Sequence, residues 1–270
     1  MSGGGSRLIA ATARHLGSAT PLISFPRTGG GDWKIWSRFL AVGGANVYDI
    51  GNICGTCEFW FRRLPAPADP LDLDEIRERV DGGLDAADGA VVESFGRLLE
   101  RGAYRIALFR LQPVRVAPGS ADDYFSCEQP SSWGRRIGDE VTDPQTPYYR
   151  VRRESGLTDP WGKDRTFEFL VPLQPEDRLD SRRIDAVEAR LASGARPTAV
   201  AVGILDNKQY YDSESGHWCL AHYLMDGHHK VAAAARCGKP ITLLSFIATE
   251  RGIAAPESLD AFLERYPRGE

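Results

Sequence analysis

Residues 226–230, with the sequence Asp-Gly-His-His-Lys, combine a carboxylate, a glycine, two imidazoles and an ammonium group in one short segment. Ammonium and imidazole groups can donate hydrogen bonds to phosphate oxygens, and a glycine lets an anion approach the backbone closely. The segment therefore predicts an anion-binding site built from Gly227, His228, His229 and Lys230. The alternative is an ordinary helix start, with Asp226 as its cap and the two histidines on the surface.

The hydrophobic pattern indicates which elements position this segment. Residues 218–225 form an apolar run of strand length, and residues 228–237 form an alanine-rich run typical of a short helix. A strand-to-helix junction directs unpaired backbone amides and the positive end of the helix dipole toward one point. The same kind of pattern predicts the remaining elements of the second half, which are a strand at 166–173, a helix at 181–193, and strands at 198–205 and 241–248.

Residues 169–247 resemble, in the order of these elements, the nucleotide-binding domain shared by ParB, sulfiredoxin and free serine kinase. In that superfamily the ParB members carry a Gly-x-x-Arg box at the start of a helix, and the sulfiredoxin members carry a Gly-Cys-His-Arg box. Both boxes bind nucleotide phosphates. The box in this chain is Gly227-His228-His229-Lys230, so the resemblance implies that His229 and Lys230 bind phosphate.

The box departs from the family pattern at two positions. His228 stands where sulfiredoxin has its cysteine, so sulfinic-acid reduction is not expected unless Cys219 or Cys237 supplies a thiol. Lys230 replaces a fork-shaped arginine by a point charge, which keeps phosphate binding but changes its geometry. ParB carries a helix-turn-helix DNA-binding module after this domain, and none is expected in the short stretch after Ala248. We therefore expect no DNA partner.

The free serine kinase branch uses an acidic residue just after the first strand as its catalytic base, and Glu176 and Asp177 occupy that neighbourhood. Phosphoryl transfer needs an anion cradle, a metal ligand and a base. Asp226 could hold Mg²⁺ or cap the helix. The resemblance thus implies an enzyme that binds ATP or another nucleotide and transfers its phosphate to a small metabolite, or hydrolyses it. The alternative is a nucleotide-sensing or partner-binding protein without turnover.

Cys54 and Cys57 enclose two residues, which is the spacing of half a zinc site or of a redox pair. A zinc-stabilised interaction module built around them is a third possibility. It would need two further ligands, for which the sequence offers Cys127, His217, Cys219 and His222. The apolar residues at 59–61 instead favour burial of both cysteines in a core.

Four parts are predicted along the chain. Residues 1–17 are a flexible lead, residues 18–116 an aromatic-rich α+β part of no assigned family, residues 117–163 a long irregular connection, and residues 164–270 the ParB/sulfiredoxin-like domain. The second part contains two amphipathic helices within 71–101. The predicted fold class is accordingly α/β or α+β, with the N-terminal half packed on the C-terminal half.

The composition, 42% hydrophobic and 26% charged, is that of a globular protein. The 33 Lys and Arg against 37 Asp and Glu give a formal net charge of −4, which argues against a general nucleic-acid binder. No apolar run approaches the roughly 20 residues that span a bilayer. The first apolar run, at 8–13, is too short for a secretory signal. Five cysteines, an odd number, favour a reducing compartment without a disulfide framework, so we expect a cytoplasmic protein.

Overall fold

The structure of the protein is a computed structural model, which describes residues 6–29, 37–65, 74–133, 147–151, 165–209 and 216–267, without the side chains of 74–77. The strands in these ranges are β1 (Arg7–Leu16), β2 (Ile23–Ser24), β3 (Arg27–Thr28), β4 (Ser37–Val42), β5 (Ala45–Asn52), β6 (Arg62–Arg63), β7 (Gly102–Leu111), β8 (Pro113–Val116), β9 (Tyr148–Val151), β10 (Arg165–Pro172), β11 (Thr198–Gln209), β12 (Gly216–Asp226) and β13 (Ile241–Ala248). The α-helices are α1 (Asp74–Gly82), α2 (Gly89–Gly96), α3 (Gln129–Ser132), α4 (Ser181–Ala192), α5 (His228–Cys237) and α6 (Pro256–Glu264). A π-helical turn covers Tyr124–Glu128 and a 3₁₀ turn covers Glu176–Arg178.

Eight strands form one mixed sheet in the order β1-β7-β13-β11-β12-β10-β9-β8. β10 runs parallel to β12 and β11 runs parallel to β13, whereas β11 and β12 form an antiparallel hairpin. A smaller antiparallel sheet has the order β2-β4-β5-β6, with β3 paired to β4. The fold is thus a mixed α+β fold, as the sequence predicts.

The central strands of the large sheet are buried on both faces, and the sequence of β13 reflects this. Leu244 and Phe246 belong to a core that also includes residues of the small sheet and α2, whereas Leu243 and Ile247 belong to a core shared with α4, α5 and α6. Successive side chains of a strand point to opposite faces, so a strand between two cores needs apolar residues almost throughout. The protein therefore has three layers, with the large sheet in the middle.

The structure corrects two predictions about the chain outside the C-terminal half. Residues 7–16, expected within a flexible lead, form β1, which pairs antiparallel with β7. This strand lies at one end of the sheet and most of its residues are exposed, so its sequence carries little of the apolar alternation that reveals a strand. Residues 117–163, expected to be irregular, contain the π-helical turn, α3 and β9. The large sheet thus takes strands from both sides of the predicted boundary at 163.

The secondary structure predicted for the second half is confirmed, because all six segments from 166 to 248 form the expected element to within a few residues. The two amphipathic helices predicted within 71–101 are α1 and α2. In the part of the chain that the structure describes, the helices are all too short or too polar to cross a membrane.

Candidate functional site

The start of α5 is built around Gly227, whose φ of +90° lies in the left-handed region. A Cβ atom at this position would lie 2.8 Å from the Cβ of Ala199 on the neighbouring strand β11. Only glycine can adopt this φ and avoid this close contact without strain. Among the described residues no side chain caps the helix, so the amides of its first turn have no side-chain acceptor.

This helix start opens into a cleft of about 650 Å³, which lies between the box, α4, the end of α1 and the small sheet. The charged residues on its wall are Asp81, Arg178, Asp180, Arg183, Arg190, Asp226 and Lys230. The apolar residues on its wall are Val42, Val47, Leu173, Ala186, Val187 and Met225. The cleft thus combines an apolar wall with a cationic side beside the positive end of a helix dipole.

The two histidines of the box are hydrogen-bond acceptors for backbone amides. The Nε2 of His228 accepts from the amide of Gln174 at 3.0 Å, and the Nε2 of His229 accepts from the amide of Asp180 at 3.0 Å. A neutral imidazole that accepts through Nε2 carries its proton on Nδ1. His228 also makes a hydrogen bond to the backbone of Leu224, so it holds the box to the segment after β10 and has no proton left for a phosphate.

The protonation of His228 gives the first prediction. Burial lowers the pKa of this imidazole to about 4, against 6.5 when it is exposed. Because protonation favours the unfolded chain, His228 contributes its full stabilisation above pH 6.5 and loses it as the pH falls toward 4, by about 3 kcal/mol in total. The glutamine in His228→Gln can still accept from the amide of Gln174 through its amide oxygen. This variant should therefore not show the part of the stability loss at low pH that comes from His228.

Urea denaturation at pH 7, 6, 5 and 4 measures this difference. His15→Gln is the matched control, since His15 is exposed on β1. The His15→Gln variant should keep the loss of stability at low pH that we assign to His228. Identical pH curves for His228→Gln and the wild type would contradict the assignment.

Lys230 is almost fully buried, with 6% of its surface exposed, and its three N–H donors are all used. Its Nζ lies 2.9 Å from the carbonyl oxygen of Thr198, 2.6 Å from Asp81 Oδ1 and 3.2 Å from Asp226 Oδ2. The sequence places this ammonium opposite an incoming phosphate. In the structure it is instead neutralised by two carboxylates, so a phosphate reaches it only if one of them gives way.

The predicted carboxylates differ in their positions. Asp226 lines the cleft and pairs with Lys230, and the N-cap of α5 is Gly227, so of the two alternatives for Asp226 the helix cap is wrong. Glu176 forms a two-pronged ion pair with Arg115 of β8, with distances of 2.8 and 2.7 Å, and lines a separate small hollow. Asp177 is exposed and does not line the cleft either. The structure thus gathers residues 226–230 at one cleft and leaves both predicted bases outside it.

Several residues of the cleft were not found from the sequence. Asp180 caps α4 through its side chain, which accepts from the amide of Arg182. Arg183 and Arg190, seven residues apart, lie two helical turns apart on the same face of α4, and this spacing could have revealed them. Asp81 belongs to α1, and no local pattern connects it with the box.

Cys54 and Cys57 are joined by a disulfide, with their Cα atoms 5.3 Å apart, and both are half-buried. The prediction that both cysteines are buried in a core is therefore wrong, and the cysteine count did not predict this disulfide. Within the described ranges no group of three or more His, Cys, Asp or Glu residues could hold a metal ion, and zinc at Cys54 and Cys57 stays an untested prediction. Of the other candidate ligands, His217, Cys219 and His222 are buried inside the fold.

No family model matches this chain, and neither a curated protein nor a solved structure is found to be similar to it.

Proposed function

We propose that this protein binds a nucleotide, with ATP and Mg²⁺ as the expected pair, in the cleft at the start of α5 and transfers its terminal phosphoryl group to a small metabolite or to water. The observation that carries the proposal is a helix start without a side-chain cap, held open by Gly227 and facing a cleft lined by Arg178, Arg183 and Arg190. Such a helix start provides amide donors and a positive dipole end for a phosphate group.

The shape and lining of the cleft support a ligand of nucleotide size. Its volume of about 650 Å³ lies within the range of small-molecule sites. The apolar wall formed with Val42, Val47 and Met225 suits a base or sugar face, while the arginines of α4 suit phosphate oxygens. The order of elements predicted to resemble the ParB, sulfiredoxin and free serine kinase domain agrees with this proposal.

Two carboxylates of the cleft support the expectation of a magnesium ion. Asp81 and Asp226 both approach the ammonium group of Lys230, so their oxygens already converge on one positive charge. Mg²⁺ is usually bound by one or two carboxylates together with phosphate oxygens. Asp226 and Asp81 would hold the ion, which supplies neutralisation of the phosphate charge when bound.

Asp180 is the carboxylate that we assign as the base. It lines the cleft beside His229, and its carboxylate is 4.0 Å from Arg183 rather than paired with Lys230. Glu176 is tied to Arg115 outside the cleft wall. A base must reach the hydroxyl that it deprotonates, so a residue on the wall suits the role better than one outside it.

A second candidate function is nucleotide sensing without turnover. It is favoured because the carboxylates of the cleft already have partners within the protein. Asp81 and Asp226 pair with Lys230, and Asp180 caps α4. Both functions require the same ligand site, and they differ only in whether phosphate is released or transferred.

Arg183→Ala tests the site. Arg183 is exposed and lines the cleft, and a charge-assisted hydrogen bond to phosphate contributes about 1.5–3 kcal/mol, so its loss should weaken MgATP binding by about tenfold or more. Calorimetric titration of ATP, ADP and CTP with Mg²⁺ measures this. Arg182→Ala is the matched control, since Arg182 is the neighbouring exposed arginine of α4 and does not line the cleft. Equal affinities for the two variants would exclude the cleft as the binding site.

Asp180→Asn separates the two functions. Asparagine caps helices as well as aspartate does, so α4 should keep its start and MgATP affinity should change by less than about twofold. If the protein turns over nucleotide, removal of the base should lower the rate of phosphate release or transfer by about 100-fold or more. Asp177→Asn is the control outside the cleft and should retain the rate. Loss of turnover in Asp177→Asn or in Glu176→Gln instead would move the base back to the position that the sequence predicts.

A further inference from the structure

The turn between β5 and β6 carries the disulfide on an accessible surface. Cys54 and Cys57 are half-buried, whereas Gly55 and Thr56 between them are exposed. A Cβ atom added at Gly55 would meet no other atom within 4 Å, so the space over the turn is open. A small thiol, or a cysteine on the surface of another protein, can therefore approach the bond.

The disulfide closes a loop of only four residues. A disulfide stabilises a fold largely by restricting the unfolded chain, and this effect is smallest for short loops. Two cysteines with two residues between them are instead the arrangement of dithiol–disulfide exchange, because the second thiol is placed to resolve a mixed disulfide formed at the first. Loop length and spacing thus both favour exchange over a static cross-link.

The backbone of this turn also fixes two distant segments. The carbonyl oxygen of Gly55 accepts from the amide of Gln209, at the end of β11, at 2.7 Å. The carbonyl oxygen of Thr56 accepts from the indole Nε1 of Trp133, just after α3, at 3.1 Å. Trp133 is 7% exposed, and its ring packs edge-on against His217 of β12 with the centroids 5.0 Å apart. The turn therefore contributes one hydrogen bond to the position of Trp133 and one to the position of the end of β11.

We propose that Cys54 and Cys57 form a reversible dithiol–disulfide site whose redox partner is a dithiol, and that its redox state controls the docking of Trp133. A thiolate of the partner attacks one sulfur of the pair and forms a mixed disulfide, and the other sulfur leaves as a thiolate that takes up a proton. The partner's second thiol then attacks the mixed disulfide and releases the remaining cysteine as a thiol. In total the partner loses two electrons and two protons and becomes a disulfide, and Cys54 and Cys57 gain them.

Counting thiols tests the redox site independently of any nucleotide. The chain has five cysteines, and Cys127, Cys219 and Cys237 are free, so the oxidised protein should show three thiols after unfolding. Native protein treated with dithiothreitol, then quenched and unfolded, should show five. Oxidised dithiothreitol should return the count to three, with the mass change confined to the peptide that contains Cys54 and Cys57. A Cys54→Ser, Cys57→Ser double variant should show three thiols throughout.

Three outcomes would overturn the redox site. Five thiols at every ratio of reduced to oxidised dithiothreitol would mean that the bond does not form. Three thiols in native protein under strong reductant, rising to five only after unfolding, would mean a static cross-link. One zinc ion per chain, bound by the reduced pair and blocking reoxidation, would mean a metal site.

The docking of Trp133 is tested by the nuclear magnetic resonance signal of its indole N–H, assigned through Trp133→Phe. Reduction should shift this signal and lower the hydrogen-exchange protection of the Gln209 amide at least tenfold. The double serine variant should not respond to reductant, whereas Cys237→Ser, which removes an exposed thiol elsewhere, should respond like the wild type. An unchanged indole signal and unchanged protection across the redox transition would refute the coupling.

Discussion

Replacing Asp206 by alanine should lower the free energy of unfolding by about 3–5 kcal/mol, the largest single effect that we expect in this protein. Asp206 lies on β11 and is completely buried, and its carboxylate binds the guanidinium of Arg38 on β4 at 2.9 and 2.5 Å. This pair joins the small sheet to the large one. The alanine variant would leave a buried guanidinium without its counter-charge.

The surroundings of the pair explain the size of the effect. Arg38 is 1% exposed and also donates to the carbonyl oxygens of Ile50, Gly51 and Arg251, so all five of its N–H groups are used. Burial alone would raise the pKa of Asp206, but the charge of Arg38 holds it below its ordinary value. The carboxylate therefore stays ionised, and removing either partner exposes the full cost of burying the other.

Urea denaturation of Asp206→Ala and of Asp185→Ala at pH 7 measures this prediction. Asp185 is exposed on α4 and pairs with Arg236 at the surface, so its loss should cost less than about 1 kcal/mol. The double variant Arg38→Met, Asp206→Leu should lose much less free energy of unfolding than its two single variants lose in sum, because the double variant removes both charges together. A loss below about 1 kcal/mol in Asp206→Ala would contradict the description of the pair.

Gly227→Ala should combine a stability loss of about 2–4 kcal/mol with a loss of ligand affinity of at least about tenfold. Its φ of +90° strains any residue with a side chain, and the added methyl would lie within 3 Å of two atoms of Ala199. The start of α5 must shift to relieve the backbone strain and the close contacts with Ala199. This shift moves the amides that we assign to phosphate binding.

Gly89→Ala provides the matched control for this substitution. Gly89 begins α2, and a Cβ there would meet open space. Alanine should therefore leave the protein unchanged or slightly more stable. Denaturation and MgATP titration of both variants measure the two effects. A Gly227→Ala protein as stable as the wild type would show that the position tolerates a side chain.

The start of α5 could be predicted from the sequence because its signals are local. The apolar run at 218–225 is followed by Asp226 and Gly227, and an alanine-rich run comes next. This local order is enough to predict a strand, a turn and a helix. The same local signals place residues 226–230 at one point of the fold. These local signals do not predict that Asp81 pairs with Lys230, because Asp81 belongs to α1 and approaches Lys230 only through tertiary packing.

The prediction for Glu176 shows the same limit. Its position after β10 is as expected, yet its carboxylate turns to Arg115 of β8, a strand far away in the sequence. The two histidines lie at the strand-to-helix junction that the sequence predicts, but their acceptor contacts to the amides of residues 174 and 180 could not be predicted, because they depend on how the chain folds back over the box. Position along an element follows from local pattern, whereas side-chain pairing depends on the complete fold.

We propose that an anionic nucleotide binds at the first turn of α5. The most direct measurement is a titration of ¹⁵N-labelled protein with MgATP, followed through backbone amide resonances. We expect saturable shifts that are largest at the amides of His228, His229 and Lys230, with smaller shifts along the facing side of α4. Saturable shifts centred elsewhere, or none at millimolar MgATP, would contradict this proposal.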